Sequence, residues 1–343
     1  MTIDGTGQLA ALGWDVDRAA RWLLDGPSGA VPGRVVRVDR TTVHVAWDGA
    51  PFRATRPGLA VGDWLATDGK SVLQVLPRRT ELVRKAAGAT ADEQGVAANV
   101  DVVLVTEPLH PRMNRRRLDR LLTIAWSSGA TPLVVLTKAD LVAADVVRQA
   151  AGEVRGAQVV AVSATTCDGL DRLRAHLGRG RTFVLVGPSG SGKSTLGNML
   201  LGRDALATAD VRGDGRGRHT TTWRELVVVD GLGCLIDTPG IRSIGLPARS
   251  DGLEPAFDDV LSYADGCRYA DCSHAVEPGC AVRQAVADGE LDGDRVDSFL
   301  RLDREIAGQV VRKAARDRRS ERVEMRARQA GMRAVMRAKG RTD

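Results

Sequence analysis

Eight consecutive residues, Gly187-Pro-Ser-Gly-Ser-Gly-Lys-Ser194, carry the most specific chemistry in this sequence. They fit the pattern GxxxxGK[ST], with the apolar run RTFVLV before them and STLGNMLLG after them. A glycine-rich turn between a strand and a helix lets backbone N–H groups converge on phosphate oxygens at the helix N-terminus. Lys193 is then expected on the β- and γ-phosphates, and the Ser194 hydroxyl on Mg²⁺. The expected contact set is Gly187, Pro188, Ser189, Gly190, Ser191, Gly192, Lys193, Ser194 and Thr195. A glycine-rich turn with no ligand is the competing explanation, and the strand and helix on either side argue against it. The motif implies a nucleoside triphosphate without choosing its base.

Two other segments favour guanine. Thr137-Lys-Ala-Asp140 ends the run TPLVVLT, and Asp140 can accept from both N1–H and the exocyclic amine of guanine. Adenine offers no such pair of donors, so the carboxylate would be left unpaired. Val162-Ser163-Ala164 ends the next apolar run, where backbone N–H groups can meet guanine O6. Thr137, Lys138, Asp140, Ser163 and Ala164 are therefore the expected base contacts. Thr137 stands where an NKxD loop has Asn. Its hydroxyl can still donate within the loop but reaches less far, so weaker affinity with preserved base discrimination is expected.

A second phosphate motif, Asp237-Thr-Pro-Gly240, follows the phosphate loop. Asp237 is expected to reach Mg²⁺ through water, and the Gly240 N–H to bond the γ-phosphate. The order is unusual: TKAD and VSA precede the phosphate loop, whereas ordinary GTPases place them after DxxG. In an open α/β fold all these loops lie at one edge of the sheet, so rejoining the chain elsewhere leaves the site intact. A circularly permuted GTPase is the economical reading. A P-loop ATPase or small-molecule kinase is the rival enzyme class, and TKAD and VSA argue against it.

Ile241 follows DTPG, and isoleucine cannot hold an attacking water by hydrogen bonding. A polar group must come from elsewhere, and Arg218-His-Thr-Thr-Thr222 is the nearest source; Thr220 or Thr221 is expected to complete the Mg²⁺ shell. The glycine-rich stretch from Asp204 to Arg218 reads as mobile, so a slow enzyme that a docked partner accelerates is expected. A non-hydrolysing RNA-binding module with GTP as a structural ligand is a third class that Ile241 leaves open.

Cys267-x4-Cys272-x-His274-x5-Cys280 offers three thiolates and an imidazole within fourteen residues. Three sulfurs and one nitrogen suit tetrahedral Zn²⁺, and four protein ligands leave no open position for a substrate. A structural zinc site is expected; a redox role is not, because the sequence has no CxxC pair.

The elements that must position these groups follow from apolar patterning. Residues 1–30 read as one amphipathic helix, LAALGWDVDRAARWLL, closed by Gly26-Pro27, with no chemistry of its own. Residues 31–85 alternate apolar and polar positions in five short runs broken by Gly, Pro and Asp, which indicates an OB-like β-barrel or an SH3-like one. A polar linker follows Lys85-Ala-Ala-Gly. Over 98–245, continuous Val/Leu runs alternate with helical segments, the grammar of a mainly parallel sheet covered on both faces. Asp230-Gly231 is a type I′ hairpin signal within it. Residues 246–343 are helical and hold the cysteine cluster, then a basic tail from Arg301 to Arg341. The expected fold is thus multidomain α/β: an N-terminal OB-like barrel, a circularly permuted P-loop GTPase domain, and a C-terminal zinc-binding helical domain.

Composition narrows the setting. A chain of 343 residues exceeds one ordinary core. No apolar run reaches the ~18 residues of a membrane span, and no export signal opens the sequence, so a cytoplasmic protein with no membrane partner is expected. The formal charge of +6 and pI of about 9.3 are compatible with an anionic partner. Aromatic residues make up only 3%, which argues against a platform that stacks single-stranded bases.

The motifs GVAANVDVVLV, TKADL, GPSGSGKSTL, GRHTTT, LIDTPGIRSIGL and CRYADCSHAVEPGCAV, with the barrel-like front end, resemble the RsgA family of small-subunit-dependent GTPases. The resemblance covers nearly all of the chain after residue 30. It implies GTP hydrolysis to GDP stimulated by the small ribosomal subunit, a role late in that subunit's maturation, and His219 as the residue that positions the attacking water. With Lys193 and Gly240, His219 completes the expected catalytic set. A basic helix, a small barrel and a zinc module in one chain point to ribosomal RNA, contacted mainly at phosphate and hence salt-sensitive. A monomer suits such a one-to-one docking factor.

Overall fold

The computed structural model describes residues 7–39, 42–85, 93–202, 224–237, 244–249 and 251–339. Two helices open it, α1 (Gln8–Ala11) and α2 (Val16–Asp25), where the sequence pattern suggested one. Gly13 makes the break: its φ is +90°, and a Cβ there would lie 2.6 Å from the Gly180 carbonyl oxygen. The break turns Trp14 inward, edge-on to Trp64 with centroids 4.8 Å apart. Asp15 caps α2 by accepting the Arg18 N–H at 2.8 Å.

The five expected strands are β1 (Val31–Asp39), β2 (Thr42–Trp47), β3 (Gly49–Thr55), β4 (Trp64–Thr67) and β5 (Val72–Val75). They pair antiparallel in the order β5-β4-β1-β2-β3. The return of β4 beside β1 is a Greek key, which favours the OB-like reading over the SH3-like one. β6 (Glu81–Lys85) pairs with β7 (Glu93–Ala98) in a separate two-stranded sheet. The stretch read as a polar linker therefore contains a strand. Its apolar residues are small, and Val96, Ala97 and Ala98 are buried all the same.

The α/β unit runs β8 (Val102–Pro108), α3 (Arg115–Ser127), β9 (Thr131–Thr137), α4 (Ala144–Glu153), β10 (Gln158–Ala161), α5 (Leu170–Ala175), β11 (Thr182–Val186), α6 (Lys193–Leu201), β12 (Arg224–Val229) and β13 (Gly233–Asp237). Strand order is β10-β9-β8-β11-β13-β12, parallel except for β12. Successive side chains sort to opposite faces. Val103, Val105, Val184 and Val186 join one core, while Val102, Leu104, Phe183 and Leu185 join the other. A sheet buried on both faces needs apolar residues at every position, which is why these strands read as unbroken runs.

The β12–β13 hairpin is present, but its turn differs from the expectation. Val229 pairs with Gly233, leaving the three residues Asp230, Gly231 and Leu232 in the loop. Asp230 is not among the described residues with positive φ, whereas Gly231 and Gly233 are, so the turn is not type I′. β1 also reaches past the barrel, pairing Arg37 and Val38 with Glu225 and Arg224, so barrel and α/β strands share one sheet.

The C-terminal part is α7 (Leu253–Ala256), α8 (Asp258–Leu261), α9 (Ala281–Ala287) and the 47-residue α10 (Gly293–Lys339). Val296, Phe299, Leu302 and Ile306 seat the start of α10 on the main core at helical spacing. Arg295 locks it there through Asp119 of α3 (2.6 Å) and Asp259 of α8 (2.9 Å). No described helix is long and apolar enough to cross a membrane.

Candidate functional site

Each sequence motif falls at the C-terminal end of a parallel strand: TKAD after β9, VSA after β10, the phosphate loop after β11, and Asp237 at the end of β13. The chain leaves β8 toward β9 on one side, and β11 lies on the other, so the crevice between β8 and β11 is the switch point where ligands bind in open α/β sheets.

In the phosphate loop, Gly187, Gly190 and Gly192 have φ of +152°, +74° and +83°. At Gly187 a Cβ would lie 2.2 Å from Thr106 Oγ1 and 2.4 Å from Thr106 O, so only glycine fits. Ser189 and Gly190 are exposed at the crown of the loop, with Pro188 half-buried beside them. Gly192 caps α6, whose first residues are Lys193, Ser194 and Thr195. A helix N-terminus leaves its first N–H groups without intrahelical partners, and here they face the loop. The Lys193 ammonium is held at the loop, donating to the carbonyls of Gly187 (3.0 Å) and Pro188 (2.6 Å). Ser194 is half-buried and Thr195 exposed.

Ser191 behaves differently from its neighbours. It is fully buried, its Oγ lies 2.8 Å from Thr106 Oγ1, and its carbonyl accepts the Thr137 hydroxyl at 2.7 Å. Its side chain therefore faces the sheet, and its backbone N–H contacts Pro188 O at 3.3 Å.

The residues expected to read the base are drawn together by backbone bonds. The Ala139 N–H donates to Val162 O at 3.2 Å, and the Val162 N–H to Leu136 O at 2.8 Å. Lys138 sits in the left-handed region, φ +59°, which turns the chain into a 3-10 turn over Ala139–Leu141. Asp140 is exposed on that turn. Ser163 is buried, and its Oγ accepts the N–H groups of Thr165 (3.1 Å) and Thr166 (3.0 Å), shaping the loop that presents Ala164. Asp237 is half-buried opposite Glu225. Burial first, and then the charge of Glu225, push its carboxyl above the usual carboxylate range. A divalent cation nearby would reverse that shift. His219, Thr220, Thr221 and Gly240 lie outside the described residues, as do Ile241 and the glycine-rich stretch.

Cys267, Cys272, His274 and Cys280 come together, with all ligand atoms within 4.8 Å of one another. Cys267 Sγ lies 3.5 Å from His274 Nδ1 and 3.9 Å from Cys280 Sγ, and Cys280 Sγ lies 3.6 Å from His274 Nδ1. Zinc bonds of about 2.3 Å to sulfur and about 2.0 Å to nitrogen at tetrahedral angles give edges of about 3.8 Å and 3.5 Å. Cys267, His274 and Cys280 stand close to those spacings, and Cys272 lies within the same 4.8 Å, a set that could hold a metal ion. Cys280 caps α9, and the His274 ring lies 6.3 Å from Phe299, so the cluster braces α9 and α10 together.

The motif reading passed over Thr106. It follows four buried apolar residues within β8, and a hydroxyl interrupting such a run was the one available signal.

This fold and this set of loops define a circularly permuted P-loop GTPase. The RsgA GTPase family model matches residues 75–247. The chain belongs to the RsgA GTPase family. It is 41% identical to the small ribosomal subunit biogenesis GTPase RsgA of Streptomyces avermitilis, over 96% of this chain and 94% of that protein. It is 43% identical to the protein of the same name from Xanthomonas axonopodis pv. citri, over 84% of each. Among solved structures, YjeQ from Thermotoga maritima superposes with a TM-score of 0.60 at 25% identity, over 81% of this chain and 99% of that one. The circularly permuted GTPase YloQ gives 0.59 at 24% identity, over 82% and 96%, which speaks for the fold.

Proposed function

We propose that this chain hydrolyses GTP to GDP and phosphate as a switch for docking on, and release from, the small ribosomal subunit late in its maturation, acting in the cytoplasm as a monomer. Membership of a GTPase family supports the chemistry, and the relatives' role in small-subunit biogenesis supports the partner. The observation that carries the reading is the tie between the base-reading loops and the phosphate loop. Ala139 bonds Val162, and Thr137 bonds Ser191, so the two ends of a guanine nucleotide would meet one hydrogen-bonded unit.

In this reading Asp140 accepts from the base edge and the N–H groups around Ser163 and Ala164 meet O6. Lys193 and the loop amides of residues 187–195 hold the phosphates. Ser194, Thr220 or Thr221, and Asp237 through water would hold Mg²⁺, which would draw charge from the phosphate oxygens when bound. The Gly240 N–H bonds the γ-phosphate, and His219 positions the attacking water. Cys267, Cys272, His274 and Cys280 hold one structural Zn²⁺. Residues 31–85, 98–245 and 246–343 act as barrel, GTPase and zinc-bearing modules behind the extension of residues 1–30. The basic part of α10 contacts rRNA phosphates.

The test is GTP turnover with and without purified small subunits, with ATP and large subunits as controls. Strong stimulation by small subunits alone is the expected result. Turnover that subunits leave unchanged would remove the partner, and equal use of ATP would remove the base assignment.

A further inference from the structure

Thr106, the fifth residue of β8, is not itself in the expected nucleotide contact set, yet its hydroxyl bonds a residue that is. Its Oγ1 lies 2.9 Å from Val186 O and 2.8 Å from Ser191 Oγ. Thr106, Ser191 and Thr137 are each at most 4% exposed, so water competes little for these bonds. A hydroxyl has one proton to give. Because the Val186 carbonyl can only accept, Thr106 gives its proton there, and the Ser191 hydroxyl must donate to Thr106. The chain of donors runs Ser191 to Thr106 to Val186. From the next strand, Thr137 donates to the Ser191 carbonyl at 2.7 Å. Ser191 is thereby held at both its side chain and its carbonyl by β8 and β9. The residues that follow it, Gly192 and Lys193, open the helix whose N–H groups face the phosphates.

We propose that Thr106 is a positioning residue for nucleotide binding: with Thr137, it clamps Ser191 and so fixes the phosphate loop in its binding shape. The inference rests on the guanine nucleotide site proposed above. Binding energy spent on ordering a loop is lost to affinity, so a loop held in advance binds more tightly. The clamp also gives Thr137 a defined task at the position where an NKxD loop has Asn. It ties the strand that reads the base to the loop that holds the phosphates.

The test separates the hydroxyl from the shape of Thr106. Thr106→Val keeps the volume and removes the donor and acceptor; Thr106→Ser keeps the hydroxyl and loses a methyl group. Dissociation constants for fluorescent GDP and a GTP analogue are measured for the full chain and both variants, with thermal melting of each. The expected result is that Thr106→Val weakens both nucleotides about tenfold while Thr106→Ser stays within about twofold of the parent. A role in packing alone gives the opposite ranking and overturns the proposal. Equal affinities for all three proteins overturn it as well. No guanine nucleotide binding by the parent chain would instead overturn the site itself. Should Thr106→Val fail to fold, Ser191→Ala cuts the same chain of donors from its other end. It is expected to weaken binding to a similar degree, and parent-like affinity there would refute the clamp.

Discussion

Arg295 fastens the start of α10 and α8 to α3 of the α/β unit. Its guanidinium bonds Asp119 at 2.6 Å, Asp259 at 2.9 Å and the Ala256 carbonyl at 2.5 Å, and lies 4.1 Å from the Phe257 ring centroid. The Arg295 and Asp119 side chains are only 10% and 11% exposed, and Asp259 is 22% exposed. Despite the arginine, burial dominates at Asp119 and holds its carboxyl above the usual 3.8, with the nearby Asp259 adding to the rise. Arg295→Met keeps most of the stem's packing but strands two carboxylates. Breaking a buried pair in this way costs about 3–5 kcal/mol. Asp259, partly solvated, contributes the smaller share.

The loss should be seen as local opening, since a chain of several modules has no single unfolding free energy. Hydrogen exchange read on peptides covering α7, α8 and the first turns of α10 should lose protection by roughly 150-fold, the equivalent of about 3 kcal/mol. The pH dependence has a definite sign. A carboxyl whose folded pKa is raised binds more protons folded than unfolded, so stability is full below 3.8 and is lost as pH rises through the folded value. Without Arg295 that value climbs further, so the deficit should be largest at neutral pH and narrow as pH falls toward 3.8. Asp119→Asn in the same chain should recover part of the loss. Protection within about threefold of the parent, or a deficit indifferent to both pH and Asp119→Asn, would refute this account.

Gly187→Ala should abolish nucleotide binding while leaving the overall fold, because its Cβ would overlap Thr106; titration of the variant with fluorescent GDP checks it. Purified protein should carry one zinc per chain by elemental analysis. A strong chelator, or acidification that protonates the thiols, should release the metal and loosen α9 and the start of α10 while GDP binding persists. His219→Ala should bind GTP like the parent and turn it over more slowly on small subunits, and unchanged stimulated turnover would remove His219 from the mechanism.

Local signals made the site legible because its chemistry is concentrated in contiguous segments. A phosphate loop, a tetrapeptide suited to a guanine edge and a Cys/His set each declare themselves within four to fourteen residues, and the order of the nucleotide motifs alone gave the permutation. The parallel sheet was legible for a similar reason, since strands buried on both faces carry apolar residues at every position. Other features depended on neighbours distant in sequence. Gly13 breaks the N-terminal helix because it meets the Gly180 carbonyl, and the strand Glu93–Ala98 exists because Glu81–Lys85 lies beside it. Thr137 looked like a weakened Asn until Ser191, fifty-four residues on, supplied its acceptor. Sequence determined which groups could touch phosphate, base and metal, because those properties belong to the residues themselves. The tertiary structure decided which polar groups hold those residues in place, because a hydrogen bond between strands depends on register and burial that no single segment encodes.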